Sequence, residues 1–362
     1  MSLFSSIQLA NNALRANQIG LQVVGQNIAN ANTPGYIREE VLLSPAPTQE
    51  VGRLLLGLGV DVVGITQKID RFLEERLRGA VSDRAHSEAQ EKVWFQLEAL
   101  IGELSDTDLS TSLTNFFASI QEVLNQPESV SVRNLAVLQG QTLTTDINQL
   151  ARRVTDLRRD LNARVEGSVV DINRLIEEIR TLNVRIVETE GGNTSASDAV
   201  GLRDQRSLAL SNLSELISIR AIEQPSGAVN VFTGGDFLVF EGTAREVEVS
   251  LSSDGGITVA NLQIAETDTP LDLSQGEIGG FVAARDTILA GFGENLDTLA
   301  STLAFEFNRL YSSGQGLKGH QQLTSEFAVD DSSQPLDVAG LTFTPENGSF
   351  QVLIFNRQTG LT

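Results

Sequence analysis

The sequence of 362 residues contains no cysteine, only three lysines and only two histidines. The absence of cysteine excludes disulfides, zinc–thiolate sites, iron–sulfur clusters and thiol catalysis. The two histidines, His86 and His320, are far apart in the sequence, which excludes a histidine-rich metal centre. The sequence therefore predicts neither a cofactor nor a metal site.

Positive charge is scarce, since 47 acidic residues face 26 basic ones and the net charge is −21. This balance excludes nucleic acid as a general partner, because phosphate binding needs an excess of lysine and arginine. No apolar run reaches the roughly 18 residues that a membrane-spanning helix needs, so membrane insertion is not predicted. The N-terminus also lacks the charged-then-apolar pattern of a cleaved signal peptide.

Catalytic motifs are missing as well. The sequence contains no Walker A, H-E-x-x-H, G-x-S-x-G or EF-hand pattern. The adjacent carboxylates Asp330 and Asp331 lie in a serine-rich loop, where solvation explains them. The sequence therefore predicts a structural protein and not an enzyme.

The clearest positive signal is a heptad repeat between residues 3 and 28. We call its members the assembly seam, which consists of Leu3, Ile7, Ala10, Leu14, Asn17, Leu21, Val24 and Ile28. The polar face beside the seam is built from neutral amides, and the only charged side chain before Arg38 is Arg15. A lone helix of this composition is marginal in water, so we expect it to order only against a partner. A simple core or coiled-coil helix with a polar outer face is the alternative.

The predicted helix ends in the sequence Asn27-Ile28-Ala29-Asn30-Ala31-Asn32-Thr33-Pro34-Gly35-Tyr36. Asparagine tolerates the left-handed conformation at a helix end, and Pro-Gly favours a turn. This segment resembles the N-terminal signature of the flagellar axial proteins, which are the rod, hook and hook-associated subunits. The residues that carry the resemblance are Asn27, Asn30, Thr33, Gly35 and Tyr36.

The next two hundred residues or so alternate between long helical and short extended patterns. Residues 41–67 predict an extended linker, residues 66–104 a long helix, and residues 109–124 a shorter one. The apolar stripe predicted for the long helix consists of Ile69, Phe72, Leu73, Leu77, Trp94, Leu97, Leu100, Ile101 and Leu104. From residue 129 to residue 190 the period is helical and proline is absent, which predicts one helix of roughly 90 Å.

A leucine-rich helix follows Leu202-Arg203-Asp204-Gln205-Arg206, and four strands with Gly-rich turns lie between residues 219 and 275. Residues 278–311 again predict a long helix, after Gly276-Glu277-Ile278-Gly279-Gly280. Arg203, Asp204 and Arg206 indicate a structural ion-pair cluster in preference to a binding site. The D-Q-R helix and the Gly-Gly helix both resemble segments of the hook–filament junction family of flagellar hook-associated proteins.

The predicted fold class is mainly α with β inserts (α+β), a long-helix coiled-coil bundle with an antiparallel β insert. Residues 1–65 predict a terminal helix and an extended linker. Residues 66–312 predict the bundle with its β insert at 219–275, and residues 313–362 the start of a β-rich domain that includes strands 338–344 and 350–355.

The resemblance implies a structural subunit that forms a homo-oligomeric ring between the hook and the filament. Its implied partners are the hook protein, a second junction protein and an export chaperone. It also implies export out of the cell through the flagellar type III apparatus without a cleaved signal. The family has a C-terminal helix that pairs with the first one, and no long heptad pattern follows Gly314, so we expect residues beyond Thr362. The alternatives are another axial subunit, such as a hook or rod protein, or a cell-envelope coiled-coil adaptor.

Overall fold

The computed structural model describes residues 3–33, 35–51, 53–102, 108–191, 199–254, 256–312, 322, 324, 327–341 and 358–359. The chain divides into two compact units, Met1–Gly291 and Phe292–Thr362. The mixture of long helices and antiparallel sheets confirms the predicted α+β class.

The first unit begins with α1 (Leu3–Ala29), followed by four strands: β1 (Glu39–Pro45), β2 (Thr48–Val51), β3 (Leu54–Gly57) and β4 (Val60–Gln67). β1 pairs with β4 and β2 pairs with β3, both antiparallel. The predicted extended linker is therefore a long β-ribbon, because its two halves hydrogen-bond to each other.

Four helices follow: α2 (Arg71–Ile101), α3 (Leu109–Asn125), α4 (Val130–Glu190) and α5 (Val200–Leu216). The predicted sixty-residue helix is confirmed as α4, which begins after the Ser129 cap and ends at Gly191 in the left-handed conformation. α2 begins five residues later than predicted. The reason is that β4 extends to Gln67, and the Asp70 carboxylate then accepts hydrogen bonds from Phe72 N and Leu73 N as the N-cap.

The β insert is confirmed and forms two antiparallel sheets. One has the order β5–β6–β7–β8, from β5 (Arg220–Glu223), β6 (Val229–Thr233), β7 (Asp236–Phe240) and β8 (Thr243–Ala244). The other has the order β11–β10–β9, from β9 (Val247–Asp254), β10 (Ile257–Ile264) and β11 (Thr269–Pro270).

The last long helix is confirmed, but it is not uniform. It consists of α6 (Gly276–Ala283), a π-helical turn at Ala284–Leu289, and α7 (Ala290–Ser312). Arg285 in the π turn is fully buried and donates to Asn162 Oδ1 at 2.7 Å and to the Ala260 carbonyl at 2.6 Å. The wider turn thus lies where one guanidinium joins α4, β10 and the last helix.

Leu97 of the predicted apolar stripe is buried in α2, but most of the buried face differs from that stripe, and Leu104 lies outside the described residues. The buried residues of α2 are Ser82, Ala85, Ala89, Val93 and Leu97, whereas Phe72, Leu73, Leu77 and Trp94 are exposed. The cause is the close approach of α6. A Cβ added at Gly280 would lie 2.5 Å from the His86 carbonyl oxygen and 2.7 Å from Ala89 Cβ, so only small residues fit between the two helices.

Three asparagines on α4 hold both sheets to the helix. The Asn173 amide donates to Val247 O at 2.9 Å and accepts from Val247 N at 2.8 Å. Asn183 makes the same pair of bonds with Val229, and Asn162 bonds to the β10 backbone on both its donor and its acceptor side. Since the three residues are about three helical turns apart, they share one side of α4 and replace a missing strand neighbour at each sheet.

The second unit contains nearly all of α7, in which the Phe307 and Tyr311 rings stack with centroids 6.0 Å apart. Another described part, residues 327–341, contains a turn in which Asp330 N donates to Ala339 O at 2.8 Å. The predicted strand at 350–355 lies outside the described residues, as do residues 342–344 of the one at 338–344. Residues 338–341 are described and form a turn and a bend, so the predicted strand does not begin there. The division into domains at residues 65 and 312 stays a prediction.

Candidate assembly surface

The assembly seam on α1 lies exposed in the first unit. Ile7, Leu14, Leu21 and Ile28, spaced seven residues apart, are 59%, 70%, 74% and 73% exposed. Ala10, Asn17 and Val24 are exposed as well, and the side chain of Leu3 lies outside the described part of the chain. Apolar surface that continues over about six turns of a helix is typical of a protein–protein contact, because a solvated helix normally turns its apolar stripe inward.

The opposite face of α1 packs on the ribbon formed by β1 and β4. Ala16 and Val23 are buried there, and Asn12 Nδ2 donates to Leu58 O at 3.0 Å. A groove of about 520 Å³ remains between helix and ribbon, with Leu21 and Val60 in its lining. The helix therefore has support from its own chain, which its sequence does not indicate. That it orders only against a partner stays a prediction.

Asn27 fastens the end of α1 to the start of β1. Its Nδ2 donates to Glu39 O at 2.9 Å, and its Oδ1 accepts from Glu39 N at 2.9 Å. The Tyr36 hydroxyl donates to the same Oδ1 at 2.9 Å. A single amide thus fixes the direction in which α1 leaves the ribbon, which is a physical reason for an asparagine and a tyrosine nine residues apart.

The other signature residues form the turn between them. Thr33 Oγ1 donates to Asn30 Oδ1 at 3.2 Å, and Tyr36 N donates to Thr33 O at 3.2 Å. Gly35 has φ of +78°, and a Cβ added there would lie 3.1 Å from Leu208 Cβ on α5. The left-handed backbone favours glycine at this position, and the close contact with α5 adds to that preference.

Asp204 on α5 receives the segment that follows this turn. Its Oδ1 accepts from Ile37 N at 3.1 Å and from Gln67 Nε2 at 2.6 Å. Burial raises the pKa of Asp204 to about 6, the Ile37 N–H opposes that shift, and the nearby Glu39 carboxylate adds to it. Burial likewise raises the pKa of Glu39. The Asp204 carboxylate thus joins the N-terminal region to the helical bundle.

We predict that the fold becomes more stable as the pH falls, because protonation of Asp204 removes the cost of burying its charge. The folded chain holds the Asp204 proton with a pKa of about 6, above the ordinary value of 3.8, so between these values the folded state binds more protons than the unfolded state. Asp204 therefore increases the free energy of unfolding as the pH decreases from 7 to 4, and this contribution is lost as the pH rises through 6. It is measured by urea unfolding at pH 7 and 4.5, compared with Asp204→Asn. An equal pH effect in both proteins would contradict the assignment.

Arg203 and Arg206 turn away from Asp204 toward the β insert. Arg203 forms a bidentate pair with Glu190, both distances being 2.8 Å, and a further bond to Glu223. Arg206 donates to Asn183 Oδ1 at 2.9 Å and to Gly227 O at 2.6 Å, and burial lowers its pKa to about 10. The helix start thus serves two sides: the arginines bind α4 and the insert, and Asp204 binds the N-terminal region.

Sequence reasoning did not find the bonding roles of Asn162, Asn173 and Asn183, nor the contact of Asp204 with Ile37. The available signal was the occurrence of isolated asparagines on a helix whose outer positions are otherwise charged. Among the described residues there is no cluster of three or more side chains suited to a metal ion. No helix in the same ranges has the length and apolarity that crossing a membrane requires.

Two family models match the sequence. The model of the flagellar hook-associated protein FlgK helical domain covers residues 95–326, which is most of the chain. The model of the flagella basal body rod protein covers residues 7–36, which include the assembly seam from Ile7 onward and the signature turn.

The chain is also similar to curated relatives. It is 26% identical to flagellar hook-associated protein 1 of Bacillus subtilis, over 88% of this chain and 69% of that protein. It is 27% identical to flagellar hook-associated protein 1 of Salmonella typhimurium, over 88% of this chain and 58% of that protein. The chain therefore spans 58% to 69% of the length of these relatives.

Among solved structures, the flagellar hook junction protein FlgK from Burkholderia pseudomallei matches with 24% identity and a TM-score of 0.48, over 58% of this chain and 39% of that one. The assignment rests on the family model, whose match extends over well more than half of the sequence. The chain belongs to the FlgK family of flagellar hook-associated proteins.

Proposed function

We propose that this chain is a structural subunit of the bacterial flagellum that forms the junction between hook and filament. The observation that carries the proposal is the assembly seam, whose large apolar residues lie exposed along α1 while the opposite face is held by the ribbon. Membership of the FlgK family supports the position at the junction, since the matched relatives are named flagellar hook-associated protein 1.

Assembly through α1 follows from the chemistry of this surface. Copies that associate side by side in a ring bury the seam against each other, and the neutral amides beside it lose little solvation free energy on contact. The anchor at Asn27 and Asp204 sets the angle between α1 and the bundle, so that every copy presents its seam in the same way. The partners of such a ring are the hook protein, a second junction protein and an export chaperone.

The proposed location is outside the cell, after export through the flagellar type III apparatus without a cleaved signal. The proposed role is mechanical and not enzymatic. The match of the rod model to residues 7–36 supports an axial role in general, because that segment is common to axial subunits. The match of the helical-domain model favours the junction over the hook or the rod.

The test is deletion of the gene that encodes this chain in its own bacterium. We expect cells that make hooks but no attached filaments and that release filament protein into the medium. Reintroducing the gene restores filaments, whereas restoring it without residues 3–29 does not. Normal filaments on cells that lack the gene would contradict the proposal, and so would the absence of hooks, which would place the chain in an earlier part of the structure.

A further inference from the structure

A second surface with the composition of α1 lies on a hairpin at the N-terminal end of the long helix α4. We call residues 109–145, which comprise α3 and the first quarter of α4, the neutral hairpin. Its two helices run antiparallel, since Ser112 Oγ donates to Asp146 Oδ2 at 2.6 Å, just beyond the hairpin. The Phe116 ring packs over Gly140, where an added Cβ would lie 3.1 Å from the ring.

The neutral hairpin exposes large apolar side chains from both helices. Leu124 on α3 and Val130, Val137 and Leu138 on α4 are each more than half exposed, and Phe117 is half exposed. The α3–α4 contact buries Phe116 and Leu143. The two helices thus bury one set of apolar side chains between them and expose another set, which a third element can cover.

Charge is as scarce on this hairpin as on α1. Its 37 residues contain only three charged side chains, Glu122, Glu128 and Arg133, and the other polar positions are asparagine, glutamine, serine and threonine. Two of these charges make local bonds: Glu122 accepts from Gln126 at 2.6 Å, and Arg133 donates to Pro127 O at 2.8 Å. The remainder of α4 is different, with exposed charged residues such as Arg152, Arg159 and Asp160.

The net charge of the chain indicates which partner this surface suits. Two copies of a chain with a net charge of −21 repel each other, and this repulsion is smallest where both surfaces are neutral. A basic partner would instead be attracted to acidic surface, which the hairpin lacks. A neutral apolar surface on a strongly acidic protein is therefore suited to another neutral apolar surface on a second copy.

We propose that the neutral hairpin is a second self-assembly contact, which packs against the neutral hairpin of a neighbouring copy. This inference rests on the proposed function, because it places copies of the chain side by side. Neighbours in a ring are related by one rotation, so each copy carries its hairpin at the same height and radius, and one side of a hairpin faces the opposite side of the hairpin in the next copy. The hairpin contact adds to the contact made through α1 and is independent of it.

The lack of cysteine makes a direct test possible, because a single introduced cysteine is the only attachment point. Leu124→Cys and Val137→Cys are each labelled with a benzophenone maleimide. Copies with natural nitrogen (light) and copies with nitrogen-15 (heavy) are then mixed in equal amounts before illumination. The control is Val170→Cys, which lies on α4 outside the hairpin and is 73% exposed. We expect light–heavy cross-links whose partner peptide lies within residues 109–145, and none to that region from the control.

Association is measured in parallel by analytical ultracentrifugation. Leu124→Glu is expected to weaken it about tenfold or more, since it removes an apolar contact. Higher salt is expected to strengthen it by screening the repulsion between acidic copies. Cross-links within single copies only, or to other regions of the second copy, would overturn the inference. If association depends on α1 while the hairpin gives no light–heavy cross-link, only this inference fails. A chain that stays monomeric at all salt concentrations overturns both proposals.

Discussion

Replacing Leu14 or Leu21 by aspartate is expected to abolish assembly while leaving the helical bundle folded. Both side chains lie on the assembly seam and are about 70% or more exposed in the isolated chain, so their loss removes little that stabilises the fold. In the assembled state each would place a carboxylate within an apolar contact. The lost apolar burial and the cost of burying the charge together weaken each contact by at least about 100-fold.

Two measurements separate assembly from folding. Electron microscopy of cells that carry the variant gene counts the filaments, and thermal unfolding followed by circular dichroism reports on the bundle. We expect few or no filaments and a midpoint within about 2 °C of the parent, as for a surface substitution.

Gln22→Asp is the matched control. Gln22 is also exposed on α1 but lies beside the seam, and the substitution introduces the same charge. Filaments are expected in normal numbers with this variant. Equal numbers of filaments with Leu14→Asp would show that the seam is not the assembly contact, and loss of filaments with Gln22→Asp would assign the effect to charge on α1 in general.

The sequence predicted the elements whose hydrophobic period is long and regular. α4 was found at nearly its true length, because apolar residues such as Leu150, Leu161 and Ile179 recur every three or four positions and are buried in the structure. The β insert was found because Gly-rich turns separate residues that alternate. The long helix after Gly276 was found, but its π turn leaves no mark in a hydrophobic period.

What the sequence could not show depends on the neighbouring element. α2 buries Ala85 and Ala89 because Gly279 and Gly280 bring α6 close, and that contact is known only once both helices are placed. Likewise, the sequence of a helix does not show whether an asparagine faces water or hydrogen-bonds to the backbone of a neighbouring strand. The assembly seam is the reverse case. Its period predicted a helix correctly, but the period alone does not say whether the stripe faces a core or a second chain.

The exposed seam and the buried ion pairs have different roles in this chain. The proposed contacts between copies rely on neutral apolar surface, whereas several contacts within the chain use charge that is shielded from water. Arg203 is the clearest example, because it joins the end of α4 to β5 through Glu190 and Glu223, and the Glu190 side chain has no exposed surface. The bonds to both carboxylates raise the pKa of Arg203 even though burial opposes the shift.

Arg203→Ala is therefore expected to destabilise the first unit by about 3–5 kcal/mol, the range for removing one partner of a buried pair. The substitution leaves the fully buried Glu190 carboxylate without its bidentate arginine. Urea unfolding measures the change. Arg180→Ala is the control. Its i,i+3 partner Glu177 is 57% exposed and lies on α4, the helix that carries Glu190, so this pair should contribute at most about 1 kcal/mol.

The double variant Arg203→Met with Glu190→Leu distinguishes a charge effect from a packing effect. The loss of stability in Arg203→Ala is expected to come from the unpaired Glu190 carboxylate. In that case, removing both charges recovers most of the stability, because an apolar pair of similar size needs no compensating charge. A double variant as unstable as Arg203→Ala would instead show that the shape of the arginine, wedged between α4 and β5, is what the site requires. A loss below about 1 kcal/mol in Arg203→Ala itself would show that water reaches Glu190 and that the pair is no stronger than one on the surface.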